Sequence, residues 1–128
     1  MNRILQEIAA ASLGAVTTDD TGGFAARYLF PDRFCGFAGH FPAHPILPAI
    51  VEILTVVSLV GEQAGRRQRL VGVEEAKFLI PVRPNQELLV QCRPRTINGK
   101  LLYEAQLTVA GATSASLLIE LVCAEVRP

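Results

Sequence analysis

The chain has 128 residues, half of them hydrophobic, and its twelve basic and twelve acidic side chains cancel. That length sets the expectation of one domain over residues 1–128 with a real core. Zero net charge removes the electrostatic reason to expect nucleic acid and favours self-association. Three scattered cysteines, Cys35, Cys92 and Cys123, match neither a disulfide framework nor a metal knuckle, so a reducing cytoplasm is expected, with no cofactor and no metal.

The N-terminal "NRILQEIAAA" places Ile4, Leu5, Ile8 and Ala9 at helical spacing and predicts a short amphipathic helix ending near Gly14. It lacks the basic start and long clean apolar core of a signal peptide. "AVTTDDTGGFAARYLF" reads as two extended pieces around an Asp-Asp-Thr-Gly-Gly turn. Residues 31–48 hold too many prolines and small turn formers for a regular element.

"AIVEILTVVSLVGEQAG", residues 49–65, is apolar nearly all round, and its length favours a helix over a strand. Pro48 suits the helix start and Gly65 the C-cap. The longest apolar run, Ile53 to Val60, is too short to span a bilayer, so no membrane insertion is expected. Such a helix must be wrapped by something.

The rest of the chain supplies the wrapper. "RLVGVEEAKFLIPV" predicts a strand with Val71, Val73, Ala76 and Phe78 facing in and a bulge near "EEA". "QELLVQCRPRTI" predicts a second, in which Pro94 marks an edge or an irregular place. Asn98-Gly99 is a two-residue hairpin signal leading into "KLLYEAQLTVAG", and "TSASLLIELVCAEVR" is a further strand. With the early pieces this predicts five or six antiparallel strands curled around one buried helix, an α+β layout.

Chemistry concentrates in "FAGHFPAHPILPAIVEIL", residues 37–54, which holds both histidines. His40 can take and return a proton near neutrality. Gly39 gives its ring room, Phe37 and Phe41 flank it, and three prolines stiffen the loop. A structural histidine bonded to a backbone carbonyl explains the same residue. His44 is expected to be an exposed loop residue, because Pro42 and Pro45 break the helix that a zinc pair of this spacing uses. The first-turn amides of residues 49–51 have no intrahelical partners and can polarise a carbonyl. Glu52 is the only ionisable residue between His44 and Glu62. A carboxylate in so apolar a helix is costly unless it is paired or lines a cavity, and burial raises its pKa and suits it to a general acid, so Glu52 is a candidate catalytic residue beside His40.

Gly39, His40, Phe41, Pro42, Pro45, Ile46, Leu47 and Pro48 together resemble the signature of the 3-hydroxyacyl-acyl-carrier-protein dehydratases of the hotdog fold. "VEEAKFLIPVRPNQEL", residues 73–88, resembles a second stretch of that family, and the likeness covers about residues 24–125. The resemblance implies a long central helix wrapped by a curved antiparallel sheet, two subunits joined edge to edge, and a site at their interface. It implies that His40 takes the C2 proton of an acyl thioester carried on acyl carrier protein or coenzyme A. The Ala49 amide, with Ile50 beside it, would hold the carbonyl, and a carboxylate from the partner's helix would protonate the leaving hydroxyl. Phe37, Gly39, Phe41, Pro48 and Leu54 are expected to line the substrate. The expected function is dehydration to a trans-2-enoyl thioester by a homodimer or higher oligomer, with an acyl thioesterase and a non-catalytic acyl-binding or structural subunit as alternatives. Two positions depart from the family pattern: Ala49 stands where the family has glycine, and Leu54 stands where it has its helix carboxylate. Glu52 lies two residues earlier, about 200° round the helix from Leu54.

Overall fold

A computed structural model describes residues 3–37 and 44–124. Its elements run α1 (Arg3–Ala10), β1 (Thr17–Thr18), β2 (Phe24–Leu29), a 3₁₀ turn (Cys35–Phe37), α2 (Ala49–Ala64), β3 (Gln68–Phe78), β4 (Glu87–Ile97), β5 (Lys100–Val109) and β6 (Ala112–Cys123). The six strands form one antiparallel sheet in the order β1-β2-β4-β5-β6-β3. This is the α+β hotdog arrangement that the resemblance implied.

Local chemistry accounts for each boundary. Asp19 builds the turn between β1 and β2, its Oδ1 accepting from the backbone N–H groups of Thr21 and Gly23 and from the Thr21 hydroxyl at 2.8–2.9 Å. Pro48 precedes α2 in extended conformation, and Gly65 ends it at φ 67°, its N–H returning to the helix carbonyls. Asn98 and Gly99 take φ 52° and 77°, the two positive values of a type I′ turn, and register Ile97 opposite Lys100. Ala110 and Gly111 repeat this turn at φ 51° and 82° between Val109 and Ala112, where the alanine sends no such signal.

Helix α2 is the wrapped element. Thr55, Val56 and Leu59 are fully buried and Val60 nearly so, in one core with Leu88, Val90, Leu107, Ala115 and Ile119 of the sheet. Removing that much apolar surface from water is the main favourable term in the fold. Helix α1 closes one side through Ile8, with Ile4 and Leu5 packed partly against the core; Ala9, expected inside, is exposed, and Ala11 is buried instead. Pro94 lies past the end of β2, where β4 pairs only with β5, so the sheet tolerates the missing donor.

The two edges of the sheet differ. Beside β2, residues 11–13 cover the edge: Leu29 N–H donates to Ala11 O at 2.9 Å and Leu13 N–H to Arg27 O at 2.8 Å. At the other edge β3 pairs with β6 on one side only. Its register jumps at Val71 and at Glu74, the second being the bulge expected near "EEA". Val73, Ala76 and Phe78 oppose Ile119, Leu117 and Ala115, so they share the core face as expected. Yet they are not covered: Val71, Val73 and Phe78 are 48%, 41% and 43% exposed, and Leu79 and Ile80 extend the apolar strip. The core reaches Leu70 of the edge strand and thins out along the rest of it.

Candidate functional site

The segment carrying Gly39, His40, Phe41 and Pro42 lies outside the described residues, so the site is built from what flanks it. On its N-terminal side Phe30, Phe34 and Phe37 form an aromatic cluster, tilted for Phe30–Phe34 and edge-to-face for Phe34–Phe37, with ring centroids 4.7 Å and 5.7 Å apart. Phe37 is buried in the core. Glu7 of α1 accepts the Cys35 N–H at 2.9 Å and pairs with Arg3 at 2.8 Å, which fixes the turn to α1. Burial first, then Glu7, pushes the Cys35 thiol up, which disfavours a thiolate nucleophile there.

On the C-terminal side His44 is exposed, as expected. Leu47 is buried and its N–H donates to Val82 O at 2.7 Å, anchoring the chain as it enters α2. Among the described residues no His, Cys, Asp or Glu cluster could hold a metal ion, and no helix is long and apolar enough to cross a membrane.

The first turn of α2 is exposed at Ala49 and at Ile50, the latter 53% open to solvent. Pro48 contributes no side-chain cap. Of the three amides expected to be free, Val51 N–H is taken by Pro48 O at 2.9 Å, tightening the turn. The amides of Ala49 and Ile50 have no hydrogen-bond partner among the described residues.

Glu52 and Leu54 go separate ways, as the helix angle requires. Glu52 is 4% exposed, shares the buried stripe with Thr55, Val56 and Leu59, and its Oε1 has no hydrogen-bond partner among the described residues. Burial alone pushes its carboxyl up to about 7. Leu54 is half-buried on the other flank and offers no ionisable group. Further along, an apolar groove of about 440 Å³ runs between α1 and α2, lined in part by Leu5, Ala9, Val57 and Gly61, with Glu62 and Arg67 also lining it.

Fold and site together define a hotdog protein of the dehydratase kind. The family described as ApeI-like, ApeI dehydratase, matches residues 16–116, and the chain belongs to it. Among curated proteins it is similar to the 3-hydroxyacyl-[acyl-carrier-protein] dehydratase FabZ of Granulibacter bethesdensis, 38% identical over 65 residues that cover 44% of this chain and 38% of that protein. The FabZ of Alkalilimnicola ehrlichii is 28% identical over 90 residues, 62% of this chain and 58% of that one. The chain therefore spans less than two thirds of the length of these relatives. Among solved structures, a chain of the dehydratase heterocomplex ApeI:P from Xenorhabdus doucetiae superposes with a TM-score of 0.70 at 20% identity, covering 88% of this chain and 96% of that one. The E. coli PaaI protein gives 0.62 at 13% identity, over 91% and 89%.

These comparisons correct one expectation. The chain was expected to be a dehydratase in its own right, with His40 as base and Glu52 as the available acid. The comparisons overturn that reading: the family that matches is the ApeI-like one, and the superposed solved chain comes from a heterocomplex rather than from a free-standing dehydratase. The physical reason lies in α2. Leu54 stands where the resemblance places the helix carboxylate, and Glu52 is 4% exposed within the core stripe.

Proposed function

We propose that this chain is a non-catalytic hotdog subunit that acts beside a catalytic relative within a dehydratase assembly. The observation that carries this reading is the fate of the carboxylate: Leu54 occupies its place while Glu52, 4% exposed, faces the core. Dehydration needs an acid at the leaving hydroxyl, and a carboxyl without access to substrate cannot supply it. A thioesterase asks for a carboxylate beside the carbonyl and meets the same obstacle. The uncovered strip along β3, with Ile50 exposed at the start of α2, gives another hotdog chain a sheet edge to extend.

In this proposal the assembly handles acyl thioesters on acyl carrier protein or coenzyme A, and the free amides of Ala49 and Ile50 contribute to carbonyl binding. His40, with Gly39, Phe41, Phe37, Pro48 and Leu54 around it, shapes that site. Arg66, Arg67 and Arg69 are exposed and without an ion pair among the described residues, whereas Arg93 pairs with Asp19 and Arg95 with Glu104. The free arginines suit an acidic carrier protein. A soluble cytoplasmic setting completes the proposal.

The test is turnover. Formation of the enoyl chromophore from 3-hydroxyacyl thioesters is followed for the chain alone, for a catalytic hotdog relative alone, and for the two together. The expected result is no turnover by the chain alone and higher turnover by the pair than by the relative. Turnover by the chain alone, lost in His40→Ala, overturns the proposal.

A further inference from the structure

Glu52 has an unusual combination of surroundings. It sits in the first turn of α2, where the positive end of the helix dipole favours a carboxylate. It is nevertheless 4% exposed, in line with Thr55, Val56 and Leu59, and its Oε1 accepts no hydrogen bond from the described residues. Elements α1, β2, β3 and β4 pack against α2, and among the described residues no charged or titratable side chain from any of them acts on Glu52; burial is the cause at work on its carboxyl there. An ionised carboxyl in such a place lacks both a counter-charge and a donor.

The same turn is the weakly held end of the helix. Ala49 and Ile50 are exposed, Pro48 provides no side-chain cap, and two first-turn amides have no partner among the described residues. The firm anchors lie to either side: Leu47 N–H on Val82 O before it, and the fully buried Val56 and Leu59 after it. Relief for a charged Glu52 is therefore local, by opening one turn to water rather than unpacking the helix.

We propose that Glu52 is a proton-controlled latch on the first turn of α2: with its carboxyl neutral the turn stays packed, and on ionisation the turn opens and hands the carboxylate to solvent. The latch shares the burial of Glu52 with the partner-subunit reading and is consistent with it, since the carboxyl that the open turn exposes is ionised and has no proton to give a leaving hydroxyl. Its consequence for the candidate site is direct, because the turn that opens carries the amides of Ala49 and Ile50.

The sign follows from linkage. The packed turn binds the proton more tightly than the open one, so its stability is full below about pH 4.5, falls as pH rises toward 7, and levels off beyond. Amide hydrogen exchange, corrected for the intrinsic pH dependence, reads this directly. Protection of the amides of residues 53–56 is expected to fall on the order of fiftyfold between pH 5 and pH 7.5, with a smaller change at residues 58–60. In Glu52→Gln that fall is expected to vanish. A fall of the same size in Glu52→Gln overturns the proposal. Should that variant not fold, carbon-detected NMR of the Glu52 carboxyl in the wild type decides. A titration midpoint near 7 supports the latch, and one near 4.5 overturns it.

Discussion

Ser114 donates its hydroxyl to Ile80 O at 2.6 Å, while its own carbonyl accepts from the N–H groups of Leu79 and Ile80 at 2.8 and 3.2 Å. This clasp ties the start of β6 to the chain leaving β3, and it holds two exposed apolar residues against the sheet. Ser114 itself is fully buried. Ser114→Ala leaves the Ile80 carbonyl without its donor and is expected to cost about 1–2 kcal/mol. Urea denaturation checks this; an unchanged midpoint with an unchanged slope refutes it.

Tyr28 runs the other way. Its ring is 1% exposed and its hydroxyl has no partner among the described residues. Burial, with Glu62 adding to it, pushes the phenol up, so the group carries no charge at any working pH. Tyr28→Phe removes an unpaired polar atom without changing the ring and is expected to stabilise by about 1 kcal/mol. A lower melting temperature in this variant shows that the hydroxyl is satisfied after all.

The two tight turns make opposite predictions at equivalent positions. Asn98 suits its left-handed conformation, and Asn98→Val is expected to cost about 1 kcal/mol or more. Ala110 at φ 51° occupies the same place in the second turn with a residue that disfavours it. Ala110→Asn or Ala110→Gly is expected to stabilise by about 0.5–1 kcal/mol. Thermal melts of the variants decide; a destabilised Ala110→Gly refutes the strain argument.

The strip along β3 predicts an assembly effect without a folding effect. Val73→Lys and Phe78→Glu place charge where 41% and 43% of each side chain is already open. Each is expected to lower the sedimenting mass of the assembled protein while leaving the far-ultraviolet circular dichroism of the chain unchanged. Wild-type mass retained by the double variant removes β3 from the interface.

Much of the architecture was legible because periodicity speaks about local geometry. The central helix, its Gly65 stop, the Asn98-Gly99 turn and the bulge near Glu74 all follow from residues adjacent in sequence. The face taken by Val73, Ala76 and Phe78 was legible too. What alternation cannot tell is how far the cover over that face extends, and among the described residues it leaves Val73 and Phe78 of β3 exposed. The Ala110-Gly111 turn was hidden because alanine carries no turn preference and only the sheet's pairing forces it. At the candidate site, helix geometry foretold that Glu52 and Leu54 point apart, and apolar neighbours foretold that Glu52 is buried. The turn at Pro48 hid the loss of Val51's amide, since a 3₁₀-type bond leaves no mark in residue type. The role of the whole chain was the least legible, because the resemblance rests on a loop motif while the difference rests on one leucine.

Among the described residues only β3 offers a long free border: residues 11–13 and the two-residue β1 occupy the β2 side, and eleven residues of β3 lie open at the other. A molecule with a single adhesive border can join one neighbour and then has nothing left to offer. Growth by that route stops at a closed pair, so fibres and stacked arrays are foreclosed by the same N-terminal segment that a truncation would remove.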